Sequence, residues 1–402
     1  MSRSDRMPWG FVTALSVTQL VSYGTLFYAF ALLIEPMERD LGWSKSALTA
    51  AYSLALVSSA FFAVPVGRLI DRGYGRAVMT GGSILAAILL ALWSQVGDYA
   101  LFVLIWVGLG ASMSAVLYEP GFAVLALRLG FQARRGITVM TLIGGFASTV
   151  FIPLTHVLIE AYGWRGSLLF LAAVNLVICA ALHVVAIPKA AGQPARHSES
   201  PSAIRSDPRR VLTKPSFWCF VAMSVFQGII STGLPIHLIP LLVERGFTLE
   251  SAVLAYSVIG PAQVAARFAT GFGERALSLR AIGLITMAVS TLGFGLLPFI
   301  PAGSWLLFVF ALLYGASNGM LTIVRALLPQ ELFGREDYGA IQGMIATPVR
   351  LAQSAAPFAF GALWGWWGGY QAVAVLCFMM ALGSLIAFVL NLILAPEPAS
   401  RD

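Results

Sequence analysis

Four charged side chains stand inside long apolar runs: Glu119, Arg267, Arg325 and Arg350. Placing an ionised group in hydrocarbon is costly, so each is a functional candidate by default. One carboxylate stands against three guanidiniums, a surplus of two positive charges. An arginine keeps its charge at any physiological pH, so a buried one calls for an anion. The simplest supplier of that anion is a substrate, and the planar guanidinium fork matches a carboxylate with two parallel hydrogen bonds. Arg267 and Arg350 are the expected holders of a small organic anion. Gln263 lies one helical turn before Arg267 on the same face and can share a ligand with it. Tyr23, Tyr118 and Asn318 are polar residues suited to line a wet site, although helix–helix hydrogen bonding would use them equally well.

The other two charges have plainer uses. Arg325 lies near one end of its run, where a long side chain can snorkel to the surface. Glu119 precedes Arg325 by 206 residues, about half the chain, and can neutralise it as a salt bridge or carry a proton. The three cysteines, Cys179, Cys219 and Cys377, have no metal-ligand spacing and read as packing residues. His156, His183 and His237 are scattered, so no metal site is expected. The chain has no Gly-rich nucleotide loop, no Ser/His/Asp arrangement and no paired catalytic carboxylates. No enzyme and no cofactor are expected, and any active transport must draw on ion or substrate gradients.

The elements that position these residues are membrane helices. The sequence is 58% hydrophobic and only 11% charged, and its apolar runs repeatedly exceed the length of a bilayer span. The stretch Trp9–Ile34 has 26 residues without a charge, too long for a signal-peptide core. Twelve spans are predicted, near 9–34, 47–69, 77–96, 99–126, 136–160, 166–187, 216–243, 251–272, 280–299, 304–328, 338–364 and 370–394. The expected domains are an amino-terminal half, 1–188, a polar linker, 189–214, and a carboxy-terminal half, 215–402. With both termini in the cytoplasm, the outer loops hold only Arg39, Lys45, Arg165 and Arg245, which is the usual bias. The net charge of +7 is a topology signal, scattered over several loops, and not a nucleic-acid surface.

Between the second and third spans lies a basic turn, Gly67-Arg68-Leu69-Ile70-Asp71-Arg72-Gly73-Tyr74-Gly75-Arg76. A charged turn between apolar helices must sit at a membrane face, and its charge assigns it to the cytoplasm. A shortened echo, Gly271-Phe272-Gly273-Glu274-Arg275, follows 204 residues later. Trp9 and Ser216, which begin the first and seventh spans, lie 207 residues apart. A near-constant shift predicts two six-helix halves related by a pseudo-twofold axis, which in such proteins rock to give alternating access.

The turn resembles the loop signature G-x-x-x-D-R-x-G-R of the major facilitator superfamily, with Tyr74 at a usual glycine. The resemblance implies a gating role for Gly67, Asp71, Arg72 and Arg76. Gly108-Leu109-Gly110, Glu119-Pro120, Arg134-Arg135 and Gly163-Trp164-Arg165-Gly166-Ser167 resemble its monocarboxylate porter and oxalate/formate exchanger branch. Gln263-Val264-Ala265-Ala266-Arg267 is similar to that branch's D-x-x-A-R segment, whose arginine is taken to bind the substrate carboxylate. That role carries over to Arg267. Gln263 replaces the branch's acid, and Phe27 stands near the position of a lysine of animal members. The resemblance implies a monomeric secondary transporter of the bacterial inner membrane that moves a small organic anion, by proton coupling or exchange. The rival readings are efflux of amphipathic compounds and a membrane sensor on a transporter fold. The surplus of arginine argues against cationic drugs.

Overall fold

Within hydrocarbon the backbone finds no water, and a helix satisfies its polar groups inside one segment. In the computed structural model the described residues are 7–189, 208–273, 277–334 and 337–395. They are almost wholly helical, and no strand occurs among them. Residues 190–207 of the expected linker, and Glu274 and Arg275 of the loop echo, lie outside the described residues.

Nine stretches among the described residues are long and apolar enough to cross a membrane. Two of them, Lys45–Trp93 and Ala133–Ala186, have 49 and 54 residues. A bilayer needs roughly 20, so each is long enough for two crossings. Both are kinked at a glycine: Gly73 has φ 91° and Gly163 has φ 67°, conformations that glycine adopts without the steric cost a Cβ would bring.

The chain forms two compact units. The first comprises residues 1–206 together with 335–347. It contains α1 (Trp9–Tyr23), a π-helical segment (Gly24–Tyr28), α2 (Ala29–Leu41) and α3 (Lys45–Leu69). The basic turn Ile70–Tyr74 leads to α4 (Gly75–Trp93). There follow α5 (Tyr99–Val116), α6 (Tyr118–Leu129), α7 (Ala133–Gly144), α8 (Ala147–Val174) and α9 (Ala181–Ala186). Polar residues mark the starts of helices: Ser44 accepts the Ala47 N–H at 3.2 Å and Asp98 accepts that of Leu101 at 2.8 Å. The core of this unit is aromatic, built on Phe30, Trp93, Phe102 and Trp106.

The second unit comprises residues 207–334 and 348–402. It contains α10 (Pro215–Glu244), α11 (Leu249–Gly273), α12 (Leu279–Leu296), α13 (Leu306–Phe333), the later part of α14 (Tyr338–Trp367) and α15 (Gln371–Leu394). Its core is built on Phe294, Phe310, Tyr314 and Phe360.

The same close approach recurs in both units. Gly110 of α5 lies so near Ala55 of α3 that a Cβ there would overlap the Ala55 carbonyl. Gly315 of α13 meets Ile259 of α11 in the same way, a Cβ there falling 2.5 Å from the Ile259 carbonyl oxygen. The glycines are 205 residues apart and their partners 204, the spacing of the sequence repeat. Small residues let helices in lipid pack backbone to backbone, where no hydrophobic force draws them together.

Candidate functional site

In the first unit the fourth predicted span is broken. α5 ends at Val116, Leu117 is extended (φ −79°, ψ −162°), and α6 starts at Tyr118. The cause is Pro120, which has no N–H to give to the Val116 carbonyl four residues earlier. Gln19 of α1 replaces that donor: its Nε2 lies 2.8 Å from the Val116 oxygen, and Gln19 is fully buried. The break places Tyr118 and Glu119 in the first turn of a new helix inside a span. There the helix dipole favours a carboxylate. Tyr118 packs on Tyr23, with ring centroids 4.5 Å apart, and stacks on Phe122 at 5.1 Å. Tyr23 and Tyr118 are half-buried and Phe122 is buried, and the face they form carries two hydroxyls.

In the second unit Arg267 of α11 is buried. Its Nε donates to the Gly319 carbonyl of α13 at 3.4 Å. One terminal nitrogen lies 3.5 Å from Gln263 Oε1 and 3.5 Å from Thr322 Oγ1. Gly319 makes this possible, because a Cβ there would overlap the Gln263 carbonyl and force α13 away from α11. The three contacts are at the long end of the hydrogen-bond range. Thr322 donates its hydroxyl to the carbonyl of Asn318 at 3.2 Å, which places Asn318 on α13 one turn from this group. Arg350 is buried in α14, and Arg325 is half-buried in α13. Among the expected binders, therefore, Arg267 and Gln263 meet directly in the second unit, and Tyr23 and Tyr118 meet in the first.

The basic turn makes a defined contact. Asp71 accepts the backbone N–H of Gly339 at 2.8 Å through Oδ1 and that of Ala340 at 2.7 Å through Oδ2. These are orphan donors of the first turn of α14, so Asp71 caps that helix from another part of the unit. Gly67 and Gly339 allow it: a Cβ on Gly67 would overlap the Gly339 carbonyl, and one on Gly339 would lie 2.8 Å from Asp71 Oδ1. Two turns further on, Thr347 donates to the Ala60 carbonyl at 2.9 Å. Arg72 is exposed at the turn and Arg76 is half-buried.

Gly319, Thr322 and Gly339 are not among the residues that the sequence singles out. Two signals were available. Gly315 and Gly319 stand four apart in an apolar run, a spacing that packs membrane helices closely. Pro120 inside a predicted span announces a carbonyl that needs a substitute donor. Among the described residues no group of three or more His, Cys, Asp or Glu is placed to hold a metal ion.

A long helical chain with repeated close-packed pairs, a broken span and a buried arginine has the form of a membrane transporter. Residues 15–357 match the Major Facilitator Superfamily, and the chain belongs to that family. It is a transporter and not an enzyme. Its curated relatives are monocarboxylate transporters. It is 28% identical to monocarboxylate transporter 13 of Rattus norvegicus over 333 residues, 81% of this chain and 73% of the relative. It is 27% identical to human monocarboxylate transporter 11 over 396 residues, 94% of this chain and 75% of the relative. The fold is similar to that of the superfamily transporter FucP in its outward conformation, with a TM-score of 0.74 at 14% identity, covering 97% of this chain and 99% of that one. It is also similar to the human organic anion transporter MFSD10, with a TM-score of 0.69 at 19% identity, covering 96% and 100%.

Proposed function

We propose that this protein is a twelve-span secondary transporter of a small organic anion, a monocarboxylate, working by alternating access with proton coupling or exchange. The observation that carries the reading is Arg267. It is buried within a span, and a backbone carbonyl, an amide and a hydroxyl set its plane. A guanidinium held this way presents a fork that fits a carboxylate, whereas a lysine in its place would offer a point charge. The names of the curated relatives support the substrate class. The scarcity of Lys and Arg in the predicted outer loops supports cytoplasmic termini in an inner (plasma) membrane.

The test is ligand-induced thermal stabilisation of the purified protein by a panel of short monocarboxylates. A ligand at a hundredfold its dissociation constant stabilises by about 2.7 kcal/mol. Arg267→Ala should keep the melting temperature of the unliganded protein and lose the ligand shift. Arg267→Lys should weaken binding by about one to two orders of magnitude, the loss of one charge-assisted hydrogen bond. Unchanged affinity in a folded Arg267→Ala variant would move the assignment to Arg350.

A further inference from the structure

At the end of α10 nearest Glu244 the second unit carries a hydrogen-bonded cluster that anion binding does not use. Glu244 accepts the backbone N–H of Tyr370 at 2.6 Å and the indole N–H of Trp364 at 2.9 Å. Arg245 donates to the carbonyls of Leu297 and Pro298 and to the side chain of Gln371. Two turns back along α10, His237 Nδ1 lies 3.0 Å from the Tyr370 hydroxyl, and Nε2 lies 3.0 Å from the Pro357 carbonyl of α14.

The first unit has a matching cluster without the imidazole. There Asp40 accepts the indole N–H of Trp164 at 3.1 Å, and Arg165 donates to Asp40 and to the carbonyl of Val96. Asp40 and Glu244 are 204 residues apart. The same shift takes His237 to Leu33, a fully buried core residue. An acid–tryptophan–arginine cluster therefore forms in this fold with leucine at that position. The imidazole adds something the cluster does not need.

The two partners fix what it adds. A carbonyl can only accept, so Nε2 carries a hydrogen whether the ring is neutral or charged. In the neutral ring Nδ1 accepts from the Tyr370 hydroxyl. A proton arriving at Nδ1 reverses that bond, and Tyr370 becomes the acceptor. Burial, and then Glu244, raise the Tyr370 phenol above its ordinary range, so the tyrosine keeps its own proton. Protonation also turns the Nε2–H···O=C bond to Pro357 into a charge-assisted one, roughly twice as strong. Glu244 and Arg245 stand in the same cluster, and the titratable groups of the core against which these helices pack are Tyr314 and Cys377. The faces that α14 turns to the ring are those of Pro357, Phe360 and Gly361, none of them ionisable.

We propose that His237 is an external proton-binding site whose protonation tightens α10 against α14 at their outer ends. The term external rests on cytoplasmic termini. The device itself does not depend on which anion is carried, or on Arg267. It gives the outer half of this unit a response to proton concentration.

The experiment uses the full-length protein in nanodiscs, with nitroxide labels at Val243 on α10 and Trp366 on α14, both exposed. The interspin distance distribution should narrow on going from about pH 8 to about pH 5. His237→Gln keeps a donor for Pro357 and an acceptor for Tyr370 but cannot charge, so its distribution should not change with pH. In parallel, histidine-selective ¹⁵N NMR of the unlabelled chain, which has four histidines, should show Nδ1 of His237 gaining the proton. Tyr370→Phe should shift that titration, which keeps the test open even if the glutamine variant fails to fold. A distance distribution independent of pH, an unaltered pH response in His237→Gln, or a His237 ring that does not titrate across this range would each overturn the proposal. External specificity has its own check: in sealed proteoliposomes the response should follow the pH on the Lys45 side alone.

Discussion

Asp71→Asn perturbs one contact whose magnitude can be worked out from the geometry. The carboxylate uses each oxygen on a different backbone N–H, those of Gly339 and Ala340. Asparagine offers one oxygen, and its amide nitrogen would face the second N–H donor to donor. The variant therefore loses one hydrogen bond to a charged acceptor, about 1.5–3 kcal/mol. It also loses a negative charge at the start of α14, about 0.3–1 kcal/mol. The sum is roughly 2–4 kcal/mol of local stability, and each 1.4 kcal/mol is a factor of ten. Amide hydrogen exchange at Gly339 and Ala340 should accelerate by about 30- to 1,000-fold, because exchange through local opening reports the free energy of that opening. The amide of Leu101, capped by Asp98 elsewhere in the same unit, should be unaffected and serves as the internal control. If Asp71 gates transport, the same variant should also transport more slowly at unchanged expression. Equal protection of Gly339 and Ala340 in the two proteins would refute the reasoning and reduce the turn to a topology signal.

Two further outcomes are expected. Gln19→Leu should leave the Val116 carbonyl buried without its donor and lower stability by about 1–3 kcal/mol, read as a fall in melting temperature. Pro120→Ala in that background should restore an N–H to the carbonyl and recover most of the loss, and no recovery would mean that the break has another cause. A cysteine at Lys45 should react with an impermeant thiol reagent on intact cells while one at Arg72 should not, and the opposite pattern would invert the proposed orientation.

Charge and apolar length made the membrane class legible before any coordinates, because a bilayer imposes both on every span. The repeat was legible too, since the near-constant shift in sequence reappears as Gly110 on Ala55 and Gly315 on Ile259. What could not be read was the partner of each polar group. Pro120 announces that a carbonyl lacks a donor, yet nothing local says that Gln19, a hundred or so residues earlier, supplies it. Asp71 is legible as a charged turn residue, but its partners are backbone N–H groups at Gly339 and Ala340, which carry no side-chain signature. Residues 337–347 pack with the first unit although they stand in the second half of the sequence, and no change of composition marks that strip.

The same distinction governs the candidate site. Arg267 was singled out because a guanidinium in an apolar run is costly, and that argument concerns the residue alone. Its orientation depends on a glycine four residues after another glycine, on a helix about fifty residues away in sequence. Gly319 has no side chain to attract notice, yet without it α13 could not bring its carbonyl to the Arg267 Nε. Buried charged groups in such a chain are thus easier to find than the residues that aim them. The first cost free energy wherever they sit. The second become visible only when two helices are seen in contact, and a small residue proves to be the condition for the distance between them.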